Sequence, residues 1–118
     1  MSGLPRSLTE EEKRWLRQAL ALLSTGEYLG GGRWVDVETG ETMPLGPPVD
    51  PEPFLKQLDS LLVVDECRCG DPNCHTVRFQ HYRPGRSHAL VHTETDDGRQ
   101  LIVFADEETR LLTELEVI

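Results

Sequence analysis

The chain has 118 residues, 37% hydrophobic and 28% charged, with 21 acids against 12 lysines and arginines and a formal net charge of −9. That length fits one domain with a core of its own, which needs no metal or disulfide merely to fold. The acidic excess disfavours a general nucleic-acid binder and adhesion to anionic membranes.

Residues 1–6 lack the apolar core of a signal peptide and read as a loose tail. No apolar run approaches the ~20 residues of a spanning helix. The expectation is a soluble cytoplasmic protein, and three cysteines, an odd number, fit a reducing compartment. Ser7 to Ser24 is a predicted helix, with Ser7/Glu10 or Thr9/Glu12 as its capping box. Trp15, Leu16, Ala19, Leu20, Leu22 and Leu23 form the apolar stripe. Glu10, Glu11 and Glu12 sit near the positive end of the helix dipole, and Gly26 is the stop signal.

Gly30-Gly31-Gly32 has neither the Lys-Ser/Thr pair of a phosphate loop nor the strand–helix frame of a dinucleotide site, and reads as a connector. Arg33 to Val37 alternates and Glu38–Glu41 can turn it, which suggests a short hairpin or an edge strand. Met43 to Pro53 holds five prolines and is expected to be a surface connector. A second helix should start at Asp50 or Glu52 and end near Ser60 or Leu62, with Phe54, Leu55, Leu58, Leu61 and Leu62 on its apolar face.

From Leu62 the period changes to two. Strands are predicted over 62–69, 77–82, 89–95, 100–105 and 111–117, with Asp96-Asp97-Gly98 as a hairpin turn. The 100–105 stretch reads as buried on both faces or nearly so. The fold class is therefore α+β: an antiparallel meander of four or five strands with the N-terminal helices packed on one face. A single domain spans 1–118, helical over 7–62 and sheet over 62–118. The expected core is Val63, Phe79, Leu90, Val103, Phe104, Leu111 and Leu115, facing Trp15, Leu16, Ala19 and Leu58.

All three cysteines lie in Cys67-Arg68-Cys69-Gly70-Asp71-Pro72-Asn73-Cys74-His75. Cys67 and Cys69 share a strand face, and the Gly70–Asn73 turn brings Cys74 back toward them. Zinc takes about four N/S ligands, and Cys67, Cys69, Cys74 and His75 could supply a three-Cys, one-His set, with His81 or water as other fourth ligands. Against this, C-x-C is not the usual C-x2-C knuckle, and adjacent Cys74 and His75 point apart on an extended chain. The other readings are packed thiols with no ligand, or a thiol-dependent redox protein or small hydrolase using Cys69 and Cys74 with His81.

Between Asp71 and Glu94 there is no acid, while Arg78, Arg83, Arg86 and all four histidines fall there. Arg78, Arg83, Arg86 and His88 are thus candidate contacts for a small anion or an acidic protein surface. The alternative is a solvated hairpin whose arginines pair with the protein's own acids. No catalytic motif such as H-E-x-x-H or G-x-S-x-G occurs, so no catalytic residue is assigned and a non-enzymatic domain is expected.

With Cys67-Arg68-Cys69-Gly70…Cys74 and Arg110-Leu111-Leu112-Thr113-Glu114-Leu115-Glu116-Val117 in view, Leu61 to Ile118 resembles a group of short uncharacterised bacterial proteins. Their pattern is C-G-C-G-C-P followed by a β-rich tail ending in G-R-L-x-x-L-E-V. Here an inserted turn displaces the third cysteine, and Thr109 stands where the tail pattern has glycine. The resemblance implies a shared β fold and no activity.

Overall fold

The computed structural model describes residues 3–25, 34–35, 42–43, 49–71, 74–106 and 108–118. The expected glycine connector Gly30–Gly32, the Glu38–Glu41 turn and the prolines at 44, 47 and 48 lie outside the described residues. The architecture is α+β, an antiparallel sheet with helices on one face.

Helix α1 spans Glu10–Ala21 and runs into a 3-10 turn, Leu22–Thr25. Its start uses the second of the two predicted capping boxes. The Thr9 hydroxyl accepts from the Glu12 N–H at 3.1 Å, and the Glu12 carboxylate accepts from the Thr9 N–H at 2.8 Å. Ser7 is taken by a strand instead. Trp15, Leu16, Ala19, Leu20 and Leu23 are buried, as the helical stripe requires.

Helix α2 is a single turn, Glu52–Leu55, shorter than expected. Beyond it the bonds run three residues back, from Leu58 N–H to Leu55 carbonyl and from Ser60 N–H to Gln57 carbonyl. This tighter winding still buries Phe54 and Leu58.

Six strands form the main sheet: β1 (Arg6–Ser7), β4 (Leu62–Glu66), β5 (His75–Phe79), β6 (Ser87–Glu94), β7 (Gln100–Asp106) and β8 (Leu112–Val117). Two further strands, β2 (Trp34–Val35) and β3 (Thr42–Met43), pair with each other, as the predicted short hairpin would. The order in the main sheet is β1-β4-β5-β8-β7-β6. This corrects the expected four or five strands in two ways. Arg6 and Ser7, assigned to a tail and to the helix, pair with Val63 and Leu62 as a sixth strand. The order is also a Greek key, because β8 returns to lie between β5 and β7. Period-two alternation tells which residues face inward; it does not tell which strands are neighbours.

The inward row runs Val77, Leu115, Val103, Val91 across β5, β8, β7 and β6. All four are buried in one core with the α1 stripe, as are Val63, Phe79, Leu101, Leu112 and Val117. The expected core members Leu90, Phe104 and Leu111 are only half-buried. Val103 and Phe104 are adjacent on an extended strand, so only one can face the helices. Strand β7 is accordingly buried on its inner face and half-buried on its outer face. Among the described residues no helix is long and apolar enough to cross a membrane.

Leu16 and Leu115 are fully buried on opposite sides of the helix–sheet interface. Truncating either to alanine should cost on the order of 2–5 kcal/mol in denaturant unfolding. A change under about 0.5 kcal/mol at both would contradict this packing.

Candidate metal centre

Strands β4 and β5 are antiparallel, with Asp65 opposite Arg78 and Glu66 opposite Val77. One further bond, from Cys67 N–H to the Thr76 carbonyl at 2.8 Å, carries the pairing to the hairpin end. The pleat then sorts side chains by face. Val77 and Phe79 point inward with His75. Cys74, Thr76 and Arg78 point outward, and the Cys74 sulfur lies 3.6 Å from the Thr76 hydroxyl. Gly70, at φ +79°, adopts the left-handed conformation that lets the chain reverse after Cys69. The Cys74 N–H closes onto the Asp71 carbonyl at 3.1 Å. The result brings the Sγ atoms of Cys67, Cys69 and Cys74 within 4.8 Å of one another.

A tetrahedral zinc with 2.3 Å bonds holds its sulfurs about 3.8 Å apart. The three thiols therefore need to close by about 1 Å at most. The site is open, with Cys67 and Cys69 exposed and Cys74 partly buried. The backbone N–H of Asp71 and the neighbouring thiols hold the Cys69 thiol below its ordinary range. At Cys74 the Thr76 hydroxyl acts downward, but Cys69, burial and Cys67 outweigh it and push the thiol up. Cys69 thus forms its thiolate ahead of Cys74.

Of the four predicted metal residues, the structure brings together the three cysteines. It places His75 on the other face, its Nε2–H donating to Glu12 Oε2 at 2.6 Å and its ring edge-on to Trp15 at 5.1 Å. Glu12 is fully buried. Arg6 donates two hydrogen bonds to it, at 2.8 and 2.9 Å, and the Thr9 N–H a third. Burial alone would raise the Glu12 carboxyl, but Arg6, His75 and Thr9 together hold it well below the usual carboxylate range. This network was missed at the level of sequence, although a signal exists. Glu12 precedes Trp15, Leu16 and Ala19 by three, four and seven residues, so it lies on the apolar stripe itself.

His81 lies beyond the opposite end of β5, away from the thiol group. The predicted cationic hairpin is instead a crossover from β5 to β6, tied to the β7–β8 turn. Arg83 donates to Asp106 from two nitrogens, at 2.8 and 2.5 Å, and Arg83 and Arg86 reach Glu108 at 3.7 and 3.6 Å. Burial would raise the Asp106 carboxyl, but Arg83 and the N–H groups of Thr109 and Glu108 hold it low. Arg78 stacks on Tyr82 at 4.4 Å, with Asp65 and Glu114 each 4.0 Å away. His88 stands opposite Ala105, at a separate apolar cavity of about 280 Å3 walled by Phe54, Leu90 and Arg110. The arginine pairings match the reading in which these cations answer the protein's own acids.

On the outer face a second cleft, of about 230 Å3, begins at Cys67 and Thr76 and is lined by Asp65, Glu66, Arg78 and Glu114. No family model, curated protein or solved structure matches the chain.

The Glu12 network has a pH signature. The carboxyl's folded pKa lies below its ordinary value of 4.5. Its contribution to stability is therefore fully present above that pH and is lost as pH falls toward the folded value. Glu12→Gln should cost roughly 2–3 kcal/mol at neutral pH, below the usual figure for a broken buried pair because Arg6 and His75 are partly exposed. It should also flatten the decline of stability below pH 4.5 in denaturant titrations. Parallel pH profiles for both proteins would contradict the assignment.

Proposed function

We propose that this is a non-enzymatic domain whose β4–β5 hairpin end binds one thiophilic divalent ion, zinc, through Cys67, Cys69 and Cys74. The observation that carries the reading is the approach of three sulfurs, from both sides of one hairpin, to within 4.8 Å of one another. Thiolates are soft donors suited to zinc, and carboxylates at Asp65, Glu66 and Asp71 favour a cation nearby. His75 is committed to Glu12 and Trp15, so the protein's share of the coordination is three thiolates. The ion staples the hairpin end and leaves the core to fold on its own. Thiols in this state belong in a reducing compartment, which favours the cytoplasm.

A second reading, a redox dithiol, rests on the lowered Cys69 thiol and its two close neighbours. It differs in what it does to thiol reactivity. A bound ion masks all three thiols until a chelator removes it, whereas a redox pair is lost by oxidation and restored by reductant.

Elemental analysis of protein purified without chelator or affinity tag tests the proposal, together with thiol titration before and after chelation. One zinc per chain is expected, with all three thiols masked until chelation. Cys69→Ser should lose the ion; His75→Gln should keep it while losing stability. Retention should weaken as pH falls, because protons compete for the thiolates. No zinc in the native protein and no uptake by the reduced protein would contradict the proposal.

A further inference from the structure

We propose that the fourth ligand of this ion comes from outside the chain and is a small thiol carrying a cationic amine. The inference rests on the metal reading above and specifies what that site takes. Among the described residues no fourth His, Cys, Asp or Glu donor joins the three sulfurs. Cys67 and Cys69 are exposed, and Cys67 and Thr76 also line the 230 Å3 cleft.

The lining of the cleft selects by charge. Asp65 and Glu114 oppose a single cation there, Arg78, while Glu66, opposite inward Val77, is met by Arg6 at 3.6 Å. Arg78 is held on the Tyr82 ring, and its carboxylate neighbours sit at 4.0 Å, outside hydrogen-bond range. A divalent ion with three thiolates adds one more negative charge beside the cleft. An anionic thiol would meet net repulsion. A neutral thiol would gain only the metal–sulfur bond. A cationic aminothiol would place its sulfur on the ion and its charge among the carboxylates. In that step the thiol proton goes to bulk water, a metal–sulfur bond forms and a water molecule leaves the ion; nothing is oxidised or reduced.

Three non-protein thiols of similar size test this on the Co(II)-substituted full chain: thiocholine (cationic, with no nitrogen able to chelate), 2-mercaptoethanol (neutral) and 3-mercaptopropionate (anionic). Each is titrated against the sulfur-to-cobalt charge-transfer absorption and compared at equal thiolate concentration. The band should grow by the increment of one thiolate. Thiocholine should bind about three- to tenfold tighter than 2-mercaptoethanol, and 3-mercaptopropionate more weakly than either. The preference should shrink with added salt and vanish in Asp65→Asn/Glu114→Gln, which leaves the cysteines intact. A cobalt-loaded protein whose spectrum no thiol changes, or one that binds the three thiols equally, would overturn the inference and leave the metal site standing. Failure of cobalt to bind at all would overturn the metal reading, and the inference with it.

Discussion

A fully buried carboxylate, Glu12, is the constraint on which much of this fold depends. An ionised group taken out of water costs several kcal/mol unless partners replace its hydration. Here the partners come from three separate pieces of chain: Arg6 from β1, the Thr9 N–H from the helix cap and His75 from β5. Arg6 also faces Glu66 of β4 at 3.6 Å. The helix start, the short edge strand and the two strands of the cysteine hairpin must therefore be in register together. If any one is displaced, a charge is left stranded in the interior.

That constraint decides which way the hairpin end faces. With His75 drawn inward to Glu12 and Trp15, strand pleating turns its neighbours Cys74 and Thr76 outward. Cys67, bonded to Thr76, joins them at the outer rim, and Gly70 lets Cys69 follow. The thiol cluster is thus set by a polar network on the opposite side of the sheet. The same alternation lays Asp65, Arg78 and Glu114 along the outer face beside it, opposite one another in the β4-β5-β8 register.

Much of this was legible in the residues. The Trp15-Leu16-Ala19 stripe, the Thr9/Glu12 box and five strand stretches follow from local periodicity, which depends only on near neighbours. The approach of the three cysteines follows from a hairpin end with a glycine turn, although β4 stops at Glu66 and Cys67 and Cys69 lie past the strand expected to reach residue 69. Other features depend on pairing over long distances. A two-residue strand such as Arg6–Ser7 carries no period of its own, and its presence is owed to Val63 and Leu62. The place of β8 between β5 and β7 is a choice among neighbours that alternation leaves open. Leu90 and Phe104 have the outward parity of their strands, beside inward Val91 and Val103, and Leu111 lies just ahead of β8, which starts at Leu112. Glu12 was read only as a cap, because an acid in a first helical turn is usually solvated.

The central claim is that three thiolates, and no histidine of this chain, hold the ion. X-ray absorption at the zinc edge of the loaded protein, in thiol-free buffer, reads that set directly. The account predicts three sulfur scatterers at about 2.3 Å, one lighter oxygen neighbour and no imidazole scattering. Two or fewer sulfurs, or the multiple-scattering pattern of a bound imidazole, would contradict it.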